Sequence, residues 1–127
     1  MKIKNSSVLI TGGASGIGRI MGRMALERGA SRLIIWDINP QNIALTISEL
    51  SRIGKVNGYV VDVSRNEMVV EAFNKVKAEC GEIDILINCA GIVTSNKTFD
   101  KMTSDEIVRT MNINTIAPMY VARAMFP

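Results

Sequence analysis

The sequence predicts an α/β fold, a doubly wound parallel sheet with helices on both faces. Short apolar runs without polar alternation suit strands that are buried on both sides. The segments between them repeat apolar residues at helical spacing and are bounded by caps and glycines. A glycine-rich turn joins the first run to the first helical segment. The order β-α-β-α-β-α-β-α requires helical crossovers, and their right-handedness places helices on both faces. The predicted strand order is 3-2-1-4, within a single domain over residues 1–127.

Ser7-Val8-Leu9-Ile10-Thr11 reads as the first buried strand. From Ile17 to Arg28, apolar residues at Ile17, Ile20, Met21, Met24 and Ala25 give helical spacing, and Gly29 stops the helix. Arg32 to Trp36 is the second strand, ending at Asp37. Asn39 can cap the next helix with Pro40 in its first turn, and the helix runs to about Ile53 before Gly54. Val56 to Val63 reads as the third strand. Ser64-Arg65-Asn66-Glu67 has the pattern of a capping box opening a third helix that stops at Gly81. Ile83 to Asn88 is the fourth strand, and Ile92 to Lys101 is a loop. A second capping box, Thr103-Ser104-Asp105-Glu106, opens one long last helix running almost to Pro127.

Composition excludes several classes of function. Apolar residues make up 47% and charged residues 21%, which suits an ordinary globular domain and not a disordered chain. The net charge of +3 is small and evenly spread, so nucleic acid is not an expected partner. The polar start, Met1 to Ser7, and the short apolar run after it do not read as a signal peptide or a membrane span. Cys80 and Cys89 lack zinc-ligand spacing and there is no histidine, so no metal site is expected. The absence of histidine also removes Ser-His-Asp and Cys-His mechanisms from these residues. Reduced thiols suit a cytoplasmic protein.

The turn Thr11-Gly12-Gly13-Ala14-Ser15-Gly16-Ile17-Gly18 carries the first functional indication. Glycines permit a tight turn and let a diphosphate approach the main chain, and the following helix offers unpaired N–H groups and the positive end of its dipole. Gly18 is expected to let that helix pack closely on the sheet. Asp37 ends the second strand about 20 residues further on, where a carboxylate can accept both ribose hydroxyls of an adenosine but repels a 2′-phosphate. This is a Rossmann-type arrangement, and it predicts NAD in preference to NADP.

The spacing of Thr11, Gly12, Gly16 and Gly18 resembles that of the short-chain dehydrogenase/reductase family. Asp62-Val63 resembles the family's adenine-contacting pair, and Asn88-Cys89-Ala90-Gly91 its Asn-Asn-Ala-Gly motif. Asn114 resembles its catalytic asparagine. The resemblance covers the whole chain. It implies a cofactor site that includes Thr11, Gly12, Ser15, Gly16, Ile17, Gly18, Asp37, Asp62, Val63, Asn88, Ala90 and Gly91. Ser15 stands where relatives that prefer NADP often carry a basic residue, which agrees with Asp37. Cys89 departs from the family's asparagine and reads as a packing substitution. Arg19 reads as helix surface, and Thr94 has no assigned role. Trp36-Asp37-Ile38-Asn39 and Asn114-Thr115-Ile116-Ala117 are similar, more narrowly, to the branch of retinol- and steroid-type dehydrogenases.

Pro118 gives Asn114 independent support. A proline inside a helix cannot donate to the carbonyl one turn earlier, and that carbonyl belongs to Asn114. In the family the matching carbonyl holds a water in a proton relay to the catalytic lysine. Asn112 is the alternative, but its carbonyl is expected to pair with the Ile116 amide.

The family's acid–base pair, Tyr-x-x-x-Lys, is not found. Val63 stands in the lysine place after Tyr59, and Ala124 after Tyr120, so both tyrosines read as packing residues. The resemblance therefore implies the amino-terminal half of an NAD-dependent oxidoreductase of alcohols and ketones. Alternatives are a catalytically inert NAD-binding module or a folded remnant. The fourth strand is then an open edge and the last helix carries excess apolar surface, which predicts self-association as a homo-oligomer.

Overall fold

The computed structural model describes residues 2–94 and 96–126. Met1, Ser95 and Pro127, which fall in the domain, loop and last helix expected above, lie outside the described residues. The elements run β1 (Ser7–Thr11), α1 (Gly16–Glu27), β2 (Arg32–Asp37), α2 (Pro40–Leu50), β3 (Val56–Val60), α3 (Asn66–Cys80) and β4 (Ile85–Asn88). A short 3-10 turn, Phe99–Lys101, then leads into α4 (Ser104–Met111), a π-helical segment (Asn112–Ile116) and α5 (Ala117–Met125). The 4-stranded sheet has the order β3-β2-β1-β4, with all pairs parallel. The α/β class and strand order are those the sequence predicts.

Two cores sandwich the sheet. Val8, Ile10, Leu33 and Ile35 point to one face, where they pack with Ala25 and Leu26 of α1 and Ile43 and Leu50 of α2. Leu9, Ile34 and Trp36 point to the other, against Val69 and Val76 of α3 and Ala117 and Val121 of α5. Every residue of β1 is buried, which explains its unbroken apolar run.

α1 departs from the expected face. Its buried residues are Gly18, Gly22, Ala25 and Leu26, while Ile17, Ile20 and Met24 are exposed. The small side of the helix is turned inward, because the sheet lies too close for larger groups. A Cβ on Gly22 would stand 2.9 Å from Leu33 Cδ2, so Gly22 is the residue that brings helix and sheet together. Gly18 instead relieves crowding inside the turn itself, where a Cβ would lie 2.2 Å from the carbonyl oxygen of Gly12.

Several boundaries move for identifiable reasons. β3 stops at Val60, because its partner β2 ends at Asp37. The capping box expected at Ser64 does not form: the Ser64 hydroxyl donates to Asp62 Oδ1 at 2.6 Å, and Arg65 takes the N-cap position with no side-chain bond. β4 begins at Ile85, since the Asp84 carboxylate instead accepts the Ser7 amide at 2.7 Å. α2 ends at Leu50. The Asn39 cap and the reciprocal Thr103–Glu106 box form as expected. Gly29 closes α1 at φ +84, with Ala30 N–H donating to the Ala25 carbonyl and Gly29 N–H to that of Leu26.

The expected single last helix is broken. Between α4 and α5, the Ala117 amide donates to the carbonyl of Asn112, one residue further back than an α-helix allows. The Asn112 carbonyl thus pairs with Ala117 and not with Ile116. The widened turn restarts the helix, so that Pro118 falls in the first turn of α5, where its missing N–H costs least.

Candidate functional site

The carboxyl ends of the strands open into a cleft of about 430 Å³, the size range of small-molecule sites. It lies where the chain order reverses between β1 and β4, the switch point at which open α/β sheets bind ligands. Its walls combine the glycine turn, the ends of β2, β3 and β4, and one face of α4 and the π segment.

The turn's shape follows from main-chain crowding. Gly12 has φ +66, and its amide donates to the Trp36 carbonyl at 2.7 Å. A Cβ at Gly12 would come within 2.9 Å of Ala90 Cα, so the turn and the segment after β4 touch backbone to backbone. Gly16 has φ +49 and faces open space on the cleft wall, which leaves the main chain accessible to a ligand. The first amide of α1 that pairs with a carbonyl inside its own first turn belongs to Arg19, which donates to Ser15. The N–H groups of Gly16, Ile17 and Gly18 thus have no acceptor within the helix and carry its positive dipole end. Such a set of main-chain donors is suited to an anion such as the diphosphate of a dinucleotide.

Asp37 is held rigidly beside it. Its Oδ2 accepts from Ala14 N–H and its Oδ1 from Asn39 N–H, both at 3.1 Å. The Ala14 carbonyl in turn accepts from the buried Thr46 hydroxyl at 3.2 Å. Asp62 stands at the end of β3, where Oδ1 takes both the amide and the hydroxyl of Ser64.

Ten of the residues expected at the site line this cleft: Gly12, Ser15, Gly16, Ile17, Gly18, Asp37, Asp62, Val63, Ala90 and Gly91. Thr11, Asn88 and Asn114 are not among the lining residues: Thr11 is buried, whereas Asn88 and Asn114 are exposed. Thr11 is 1% exposed, and its Oγ1 accepts the amides of Cys89 and Ala90 at 3.1 Å, pinning the end of β4 to β1. Asn88 Nδ2 reaches the Pro118 carbonyl at 3.5 Å. The Asn114 amide group accepts from Ile92 N–H and donates to the Ile92 carbonyl, each at 2.8 Å, tying the loop after β4 to the π segment. Thr94 is held to the same region through Thr110 Oγ1 at 2.9 Å. Arg19 is on the helix surface, as expected, paired with Glu49.

The sequence gives no site role to Ile38, Val61, Cys89, Ile92, Arg109 and Ile113, which also stand on the wall. Ile38, Val61, Cys89 and Ile92 adjoin expected site residues, so proximity alone is a signal for them. Arg109 and Ile113 are legible only as one face of a helix whose position the sequence does not set.

Neither tyrosine lines the cleft, and both pack against the core. The Tyr59 hydroxyl donates to Glu79 at 2.5 Å and lies 3.4 Å from Cys80 Sγ. Burial, followed by these hydrogen bonds, pushes its pKa well above the ordinary value, the wrong direction for a base. Among the described residues there is no cluster of metal-ligating side chains, and no helix long and apolar enough to cross a membrane.

Known proteins share this arrangement. The model of the short chain dehydrogenase family matches residues 6–127. Human estradiol 17-beta-dehydrogenase 11 is 37% identical over 122 residues, covering 94% of this chain and 40% of that protein. Human short-chain dehydrogenase/reductase 3 is 30% identical over 126 residues, covering 98% and 41%. The chain therefore spans about 40% of the length of these relatives. An NAD+-bound xylitol dehydrogenase structure superposes with a TM-score of 0.92 at 25% identity, covering 98% of this chain and 48% of that one. A short chain dehydrogenase from Mycobacterium smegmatis gives 0.89 at 30% identity, covering 97% and 51%. The relatives also agree with the narrower likeness to the retinol and steroid branch. With its glycine spacing, parallel sheet and matched residues in agreement, the chain belongs to the short-chain dehydrogenase family.

Proposed function

We propose that this chain binds NAD in preference to NADP, as the cofactor-binding part of an oxidoreductase of alcohols and ketones. The observation that carries the proposal is that the unpaired first amides of α1 and the Asp37 carboxylate line the same cleft. The amides of Gly16, Ile17 and Gly18 would hold the diphosphate. Asp37, anionic and fixed by two main-chain donors, would accept from the adenosine ribose and repel a 2′-phosphate. Asp62 and Val63 would border the base, and Ala90 and Gly91 would support the cofactor from the β4 side. A bound nicotinamide supplies hydride transfer, while the protein orients it.

In this proposal Asn114 contributes its main-chain carbonyl to proton movement, and its side chain holds Ile92. What supports this is Pro118 itself, which has no N–H to donate to the carbonyl four residues before it. We also infer self-association, for which the open edge at β4 speaks, and a reducing, cytoplasmic setting, which suits the free thiols of Cys80 and Cys89.

Calorimetric titration with NAD and NADP tests the cofactor proposal. NAD is expected to bind roughly tenfold or more tighter than NADP, a difference of about 1.4 kcal/mol. Absence of heat with NAD at millimolar concentration would remove the nucleotide role, and equal binding of both would remove the preference.

A further inference from the structure

Arg109 received no role from the sequence, yet it lines the nucleotide cleft. It lies on α4 one helical turn before Ile113, so the two side chains emerge on the same face. Among the described residues it is the one cationic side chain on that wall, and no carboxylate lies within ion-pair distance of it. The other arginines close to the cleft's turn, Arg19 and Arg23, are both held by Glu49.

The surroundings of Arg109 suit a flat ring better than a phosphate. The apolar side chains that line the same cleft include Val61 and Val63, just after β3, and Ile113 on the π segment. The exposed Ile38, next to Asp37, lines it too. The main-chain donors suited to a diphosphate come from the glycine turn, at the start of α1. A guanidinium is planar and weakly hydrated on its faces, so it gains by stacking on an aromatic ring.

We propose that Arg109 is a specificity-determining residue of the base subsite, closing it from the α4 side by stacking on the purine. This rests on the nucleotide-binding reading above. It assigns discrimination between purine and non-purine ligands to a residue outside the glycine turn and Asp37.

Titration of the chain and its Arg109→Ala and Arg109→Lys variants with ADP and with inorganic pyrophosphate tests it, with circular dichroism confirming the fold of each variant. Arg109→Ala is expected to weaken ADP about fivefold and leave pyrophosphate unchanged. Lysine is expected to recover only part of the loss. Equal losses for both ligands, or full recovery by lysine, would mean that Arg109 acts as a charge and overturn the stacking role. An unchanged affinity for ADP in Arg109→Ala would overturn any role. A parent chain that binds neither ADP nor NAD would instead overturn the nucleotide reading itself, so the two failures are distinct.

Discussion

The Asp37 carboxylate accepts the main-chain amide of Ala14 at 3.1 Å, so the acid that ends β2 and the turn that follows β1 fix each other. Replacing this acid therefore changes recognition and stability together. In Asp37→Ser the repulsion of a 2′-phosphate is removed, and NADP binding is expected to rise toward that of NAD. The Ala14 amide loses a charged acceptor, which costs about 1.5 to 3 kcal/mol. Calorimetry and urea unfolding measure the two effects separately.

The glycines of the turn are expected to differ sharply when changed to alanine. Gly18→Ala drives a Cβ into the Gly12 carbonyl and should abolish nucleotide binding, with a stability loss of about 3 kcal/mol or more. Gly16→Ala meets open space and bears only the strain of its left-handed backbone, about 1 kcal/mol. Gly22→Ala presses on the flexible end of Leu33, and binding should survive. Thermal unfolding with and without NAD ranks the variants; a Gly18 variant as stable as the parent would contradict the crowding at the Gly12 carbonyl.

Thr11→Val keeps the shape of a buried side chain and removes only its hydroxyl. The amides of Cys89 and Ala90 then lose their acceptor, at a cost of about 2 kcal/mol. Because this clip sets the position of Ala90 and Gly91, weaker NAD binding should accompany the loss, although Thr11 itself is not on the wall. Unchanged affinity in a folded variant would separate the clip from the site.

Two groups give pH dependences of opposite sense. Glu106 has its pKa lowered from 4.5, first by the Thr103 amide and then by Lys97. Its capping contribution is therefore present above the ordinary glutamate value and lost as pH falls through the lowered one. Tyr59 has its pKa raised, first by burial and then by its bonds with Cys80 and Glu79. Its contribution is complete below the ordinary tyrosine value of 10.0 and is lost as pH rises beyond it. In a Tyr120→Phe chain, tyrosinate absorbance should appear only with unfolding. Titration near pH 10 in the folded chain would show that Tyr59 is free.

Strand order and the glycine turn were legible because they depend on local spacing. Unbroken runs such as Leu33 to Trp36, short and bounded by turn residues, suit strands covered on both sides, and a turn such as Gly12 to Gly18 declares its crowding through its composition. The face of α1 was legible only in part. Apolar periodicity pointed to Ile17, Ile20, Met21, Met24 and Ala25; Ala25 is buried and Met21 packs against the core, but Ile17, Ile20 and Met24 are exposed, and Gly18 and Gly22 take their place toward the sheet. Ser64 and Thr103 have the same capping pattern, but Asp62 competes for the Ser64 hydroxyl and nothing comparable competes for that of Thr103. Arg109 could not be placed, because its role depends on how the π segment turns α4.

That segment inserts one residue into a helix that otherwise continues. Deleting one position between Asn112 and Ile116 would restore an α-helical register and rotate α4 against α5 by roughly 100°. Val121 could stay in the core while Arg109 and Ile113 swung away from the cleft. The facing of an entire wall is thus encoded by a single residue of chain length, independently of the side chains that compose it.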